Sequence, residues 1–133
     1  MRLTFLCALI AGVLLLFPSC LPSSPAEVAQ AFLNAMSAKD FKAAQGYGDP
    51  ELQITLQRID SLMDYLQKDL KDRLTKESGK KVTVVSENLQ GERATVAYVV
   101  EGEPGLQVLR LQKFQGAWKV NFTKDQAPAT AAP

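Results

Sequence analysis

The fold of this chain is decided by residues 81–100, which read KVTVVSENLQGERATVAYVV. Residues 81–85 and 94–100 are rich in β-branched side chains and alternate in the manner of strands. Between them, residues 88–92 carry an asparagine and a glycine, which are typical of a hairpin connection. The stretch therefore predicts two antiparallel strands.

Two further strands are predicted after this hairpin. Residues 101–105 contain Gly-Glu-Pro-Gly and predict a turn, and residues 106–114 predict the third strand. Gln115-Gly116 predicts a tight turn before a fourth strand over residues 117–122. Because short connections favour neighbouring antiparallel strands, we expect a curved four-stranded antiparallel meander.

A helix is predicted from Pro25 to about Ala38. Ser24 and Glu27 have the spacing of a capping box, and Pro25 suits the first helical position. Apolar residues then recur three and four positions apart, which indicates one buried face. These residues are Val28, Phe32, Leu33 and Met36.

Two aspartates predict the starts of further helices. Asp40 caps a short second helix over Phe41–Ala44, and Asp49 caps a long third helix over residues 50–78. The third helix is long for a domain of this size, so a break near residues 58–62 is an alternative to one continuous helix. The predicted fold class is α+β, with two or three N-terminal helices packed on the meander.

Residues 1–19 have the pattern of a bacterial lipoprotein signal peptide. Arg2 supplies the positive start, Leu3 to Phe17 form the apolar core, and cleavage is expected between Ser19 and Cys20. The thiol of Cys20 would then carry lipid, and more than one acyl chain is sufficient for stable anchoring. The protein is therefore expected to be attached to a membrane through this lipid anchor.

Two alternatives to lipidation remain open at Cys20. One is an uncleaved membrane anchor, although the apolar run is shorter than the roughly 20 residues that cross a bilayer. The other is an ordinary signal peptidase site with an unmodified cysteine. Leu16 lies one place further from Cys20 than in the usual lipobox, with Phe17-Pro18 between them.

The chain divides into four segments on this reading. The signal peptide is followed by residues 20–24, the lipidated cysteine and a tether that spans roughly 13 Å when extended. Residues 25–124 form the α+β domain, and residues 125–133 are expected to be disordered. The expected location is the cell envelope, facing the periplasm or exterior. Leu21 favours the outer membrane if the organism is Gram-negative.

Composition excludes several classes of function. Removal of Arg2 leaves 14 basic against 14 acidic residues, which argues against a nucleic-acid partner. The chain has no histidine, and Cys7 leaves with the signal peptide. The commonest general base and metal sites of the Cys/His kind are therefore absent, and no metal or cofactor is expected.

Three segments give the chain a family resemblance. They are residues 29–44 (AQAFLNAMSAKDFKAA), Glu92–Val96, and Phe114–Val120. With them, about Pro25 to Lys124 resembles small bacterial envelope lipoproteins whose domain is of unknown function. That group lies in the superfamily of nuclear transport factor 2 and the SnoaL-like proteins, which is also called cystatin-like. The resemblance implies a cone-like sheet wrapped by helices, often with a pocket and often dimeric.

Five aromatic residues are candidates for an apolar ligand pocket, with core filling as the alternative. They are Phe32, Phe41, Tyr47, Tyr65 and Tyr98. Trp118 is expected to be structural.

Four aspartates are candidate acids. Capping is the favoured role of Asp40 and Asp49, and a solvated helix face is favoured for Asp60 and Asp64.

The second face of the predicted sheet is also apolar in part. Val85, Ala97 and Val99 alternate onto the face opposite Val84 and Val96. This face is either the surface of a homodimer or ordinary scatter of exposed apolar residues.

These patterns favour a non-enzymatic envelope lipoprotein that binds a protein partner or an apolar small ligand. The alternative is a SnoaL-like enzyme, an isomerase or hydrolase that acts on a hydrophobic molecule. It would use a buried aspartate as base and a tyrosine as hydrogen-bond donor.

Overall fold

The computed structural model describes residues 23–76 and 78–121 and confirms an α+β fold. Four helices precede the sheet, one more than predicted. They are α1 (Pro25–Ser37), α2 (Phe41–Gln45), α3 (Pro50–Tyr65) and α4 (Lys68–Lys76). The strands are β1 (Val82–Gln90), β2 (Arg93–Val100), β3 (Gln107–Phe114) and β4 (Ala117–Val120). They pair antiparallel in the order β1-β2-β3-β4, as the meander requires.

Three helix starts follow the predicted caps. The Ser24 hydroxyl accepts a hydrogen bond from the Glu27 N–H, and the Glu27 carboxylate accepts one from the Ser24 N–H. Asp40 accepts from the N–H of Ala43, and Asp49 from that of Leu52. Each cap satisfies an N–H group that has no partner within its helix.

The predicted third helix and hairpin connection need correction. The helix ends at Tyr65, because Leu66 takes an extended conformation (φ −69°, ψ 140°), so the break lies after residues 58–62. Only Leu52 and Leu56 of α3 are buried, and the contact of the rest of the helix with the core is partial. Residues 88–90 belong to β1, and the turn is formed by Gly91 (φ 62°) and Glu92 alone.

The core lies on one face of the sheet, beneath α1, α2 and the start of α3. Its sheet residues alternate along the strands, which is why one face is apolar. The buried core residues are Val28, Ala29, Phe32, Leu33, Phe41, Ala44, Leu52, Leu56, Val82, Ala94, Val96, Leu109, Leu111, Trp118 and Val120.

Both edges of the sheet have partners from the helical half. The Gln30 side chain donates to the Val82 carbonyl (2.8 Å) and accepts from the Val84 N–H (3.0 Å), so it occupies the edge of β1. At the other edge, Gly48 forms a parallel bridge with Val120 of β4. Each edge is therefore partnered at one position, by Gln30 at the start of β1 and by Gly48 at Val120.

Candidate functional site

The face of the sheet opposite the core, which we call the outer face, is lined by the alternate strand residues. Along β2 these are Arg93, Thr95, Ala97 and Val99. The apolar end of this face includes Val99 and the exposed Val85, which lies at an irregularity between Val84 and Ser86. The homodimer predicted through this face stays a prediction.

The polar end of the outer face contains a cavity of about 360 Å³, which we call the outer-face cavity. Strand register aligns its side chains in two rows. The first row crosses three strands and consists of Asn88, Thr95 and Arg110. The second row lies two residues further along the strands and consists of Gln90, Arg93 and Gln112. Ala94, Leu111 and Asn121 complete the lining. The cavity is therefore formed by neighbouring strands that are fixed by backbone pairing.

The charge of the outer-face cavity is positive. Its lining contains Arg93 and Arg110 and no acidic residue. Among the described residues, neither arginine forms an ion pair within 4.0 Å; the pairs found there join Lys71 to Asp64 and Lys80 to Glu103. Amide groups surround the two guanidinium groups, and the Asn121 side chain donates to Gln112 Oε1 at 3.1 Å.

Four of the five candidate pocket residues lie in the core or pack against it, and Tyr65 does not. Phe32 and Phe41 are buried in the core, and Tyr47 is partly buried against it. Tyr65 is 86% exposed and borders a shallow depression on α3. None of these residues, nor Tyr98, lines the outer-face cavity. A common pocket of the five stays a prediction.

Tyr98 belongs to a polar network at the opposite end of the sheet. Its hydroxyl donates to Gln107 (3.0 Å), and the Gln107 amide donates to Glu103 (2.9 Å), which also accepts from Lys80 (3.2 Å). Burial, and then the charge of Glu103, raise the pKa of Tyr98. Hydrogen bonds from Lys80 and Gln107 lower the pKa of Glu103.

The described residues contain no buried carboxylate of the kind that the enzymatic alternative requires. Asp40 and Asp64 are exposed, and Asp60 is half-buried. In the same part of the chain, no group of three or more Cys, Asp or Glu side chains is arranged to hold a metal ion.

The predicted cleavage and lipidation residues, Ser19 and Cys20, lie outside the described residues, as do the predicted tail and Phe122. In the part that the structure describes, no helix combines the length and apolarity needed to cross a bilayer.

Comparisons with known proteins add little to this geometry. No family model matches the chain, and no curated protein matches it. A solved structure that it resembles is a SEC-C motif containing protein from Rhodopseudomonas palustris, with a TM-score of 0.46 and 18% identity over 75% of this chain and 79% of that one. A similarity at this level carries no inference about fold or function. The molecule is thus defined by its own features, an α+β domain with a cationic cavity on the outer face of its sheet.

The sequence reading missed the outer-face cavity. Arg93 lies in the segment that carries the family resemblance, but it was interpreted there only as part of a strand. The sequence did carry a signal for it. Alternation along a strand places Arg93 on the face opposite to Ala94, and it places Arg110 on the face opposite to Leu109 and Leu111. What alternation alone does not give is the register that sets Arg110 beside Thr95.

Proposed function

We propose that this protein is a lipid-anchored envelope lipoprotein whose α+β domain binds a protein partner. The anchor is Cys20, and the support for it is the signal-like sequence of residues 1–19. The described domain begins with α1 at Pro25, only five residues after Cys20. A domain so close to its anchor would stay near the headgroups and meet partners in the plane of the membrane.

The observation that carries partner binding is the set of exposed apolar side chains at the end of α3 and along α4, two helices that are linked by the Lys71–Asp64 ion pair (4.0 Å). We call it the α3–α4 apolar surface. None of the residues of α4 is buried, although leucines recur four positions apart along it. The exposed apolar side chains of this surface are Leu62, Tyr65, Leu70 and Leu74.

Such an arrangement suits a protein partner better than a small apolar ligand. An amphipathic helix that presents residues four apart can lay its apolar face in a groove of another protein. Contiguous exposed apolar patches typically mark interaction surfaces. By contrast, Phe32 and Phe41, two of the aromatic residues that could have lined a ligand pocket, fill the core.

The anchor is tested by fractionation of cells that express the Cys20→Ser variant. We expect the wild-type protein to stay with membranes after a high-salt wash and to incorporate a clickable palmitate analogue. Loss of the label in Cys20→Ser, with slower processing of the signal peptide, is the expected result. A variant that takes up the label as well as wild type does would refute lipidation at Cys20.

The partner surface is tested with a photo-crosslinking amino acid placed at single positions in living cells. A crosslinker at Leu70 should give a discrete adduct with one protein, whereas a crosslinker at Asp72, on the other side of α4, should not. Leu74→Ser should abolish the adduct from position 70. Equal adducts from both positions, or an adduct that survives Leu74→Ser, would count against this surface.

A further inference from the structure

Two like charges lie close together in the outer-face cavity. Arg93 pairs with Gln112 in the register of β2 and β3, and Arg110 is two residues from Gln112 on the same face. Residues in this diagonal relation are roughly 7 to 8 Å apart, which allows long side chains to reach a common point. Without a counter-charge, such neighbours repel each other.

Among the described residues, the lining of the cavity supplies hydrogen-bond donors beside the two arginines but no acidic group. Asn88 and Gln90 of β1 and Thr95 of β2 line the same cavity, and each has a side chain that can donate a hydrogen bond. A tetrahedral oxyanion accepts several hydrogen bonds at once, and guanidinium groups match its oxygens in bidentate fashion. A cavity of about 360 Å³ is ample for such a group with its substituents.

We infer that the outer-face cavity binds a phosphate group, held between the guanidinium groups of Arg93 and Arg110 and oriented by the surrounding amides. The phosphate belongs either to a free phosphate compound or to a phospholipid headgroup. Binding of a phosphate in this cavity depends on neither Cys20 nor the α3–α4 apolar surface, so it can fail or succeed independently of the proposed function; only the choice of a headgroup as the source uses the anchor.

The position of the cavity makes a headgroup a reasonable source. Glu87, which accepts a hydrogen bond from the N–H of Ala26 at the start of α1, immediately precedes the cavity residue Asn88 in β1. Helix α1, which begins five residues after Cys20 in the sequence, therefore starts at the end of the sheet where the cavity lies, on the opposite face.

Thermal unfolding of the full-length protein in a non-ionic detergent tests the inference, with Trp118 as the reporter because it is the only tryptophan. A ligand of the folded state raises the midpoint temperature as its concentration increases. Inorganic phosphate and glycerophosphoglycerol, a headgroup without acyl chains, are titrated separately against sodium chloride of equal ionic strength. A shift with glycerophosphoglycerol alone identifies a headgroup, and a shift with phosphate alone identifies a free compound.

Substitutions assign the shift to the cavity. Arg93→Gln and Arg110→Gln should each weaken binding by about tenfold or more, because each removes charged hydrogen bonds. Arg93→Lys should retain part of the affinity, since it keeps the charge but not the planar fork. Arg73→Gln on the exposed α4 removes the same charge elsewhere and should leave binding unchanged. No shift with either probe, or equal losses in Arg73→Gln and Arg93→Gln, would overturn the inference.

Discussion

Helices α1 and α4 have similar sequence patterns but differ in how much of their apolar face is buried. Both are amphipathic, with apolar residues three or four positions apart. α1 buries Val28, Phe32 and Leu33 against the sheet, whereas none of the residues of α4 is buried. The difference lies in what each helix meets. α1 crosses all four strands of the sheet, and α4 follows α3 beyond the end of the core.

An amphipathic sequence therefore indicates that a helix packs one face against something, but it does not indicate whether that is its own domain or another molecule. Helix stability in proteins comes mostly from tertiary packing of the apolar face. α1 gains it from its own domain. α4 lacks it within residues 23–76 and 78–121, which is why we assign its apolar face to a partner.

Truncation of an apolar side chain should separate the two helices most strongly. Phe32→Ala in α1 should lower the free energy of unfolding by about 3 to 5 kcal/mol, since it leaves a cavity in the core. Leu70→Ala in α4 should change it by no more than about 0.5 kcal/mol. Urea unfolding followed by Trp118 fluorescence measures both. Similar losses in the two variants would show that α4 is packed as firmly as α1.

A smaller effect is expected from the amide that joins α1 to the edge of β1. Gln30→Met should cost about 1 to 3 kcal/mol, because the Val82 carbonyl and the Val84 N–H lose their side-chain partner. Gln57→Met, on the exposed side of α3, is the matched control and should be nearly neutral. Hydrogen exchange at Val84 should also quicken in Gln30→Met alone. If both substitutions cost the same, the Gln30 hydrogen bonds do not hold α1 in place.

Local signals in the sequence were sufficient for most of the fold. The capping box at Ser24, the caps at Asp40 and Asp49, and the alternation of the strands are each carried by a few neighbouring residues, and the structure confirms them. The break at Leu66 was placed too early, because neither proline nor glycine marks it. Helix α3 ends where its contact with the core is already partial, and how far that contact reaches is a property of the assembled domain.

Neither the outer-face cavity nor the exposure of α4 could be predicted from neighbouring residues in the sequence, because both depend on the assembled domain. Arg93 and Arg110 are 17 positions apart in the sequence, and only the register of β2 and β3 brings them onto neighbouring rows. The leucines of α4 were expected to belong to the continuous third helix over residues 50–78. Their exposure depends on where the sheet ends, which no window of the sequence records.

One side-chain hydrogen bond in each helix extends the comparison to effects of about 1 kcal/mol. Ser24→Ala should lower the stability by roughly that amount, since it removes the acceptor for the Glu27 N–H. In α4, the Thr75 hydroxyl donates to the Lys71 carbonyl (2.8 Å) within the helix. Thr75→Ala should cost nothing, because alanine has the higher helix propensity. A loss in Thr75→Ala equal to that in Ser24→Ala would contradict the view that α4 contributes little.

The smallest expected difference between the α1 and α4 regions concerns their two ion pairs. Lys80 lies 3.2 Å from Glu103. This pair is near the end of α1, because the Ser37 hydroxyl donates a hydrogen bond to the Lys80 carbonyl. The second pair joins α4 to α3, with Lys71 4.0 Å from Asp64. The hydrogen bonds from Lys80 and Gln107 lower the pKa of Glu103 from its usual 4.5. The unfolded chain therefore binds a proton at Glu103 more readily than the folded chain does. The stability that Glu103 contributes is present above about pH 4.5 and is lost as the pH falls through its folded pKa.

Urea unfolding between neutral pH and about pH 3 should show this loss as a slope that flattens in Glu103→Gln. Lys80→Gln should flatten the same slope, and the double variant should do no more than either single one, because the effect belongs to the pair. A double-mutant cycle at neutral pH with Lys71→Gln and Asp64→Asn should give a smaller coupling, since that pair is longer, at 4.0 Å against 3.2 Å. A coupling at Lys71 as large as at Lys80 would mean that α4 is held to α3 by charge, and the exposed face of α4 would then need another explanation.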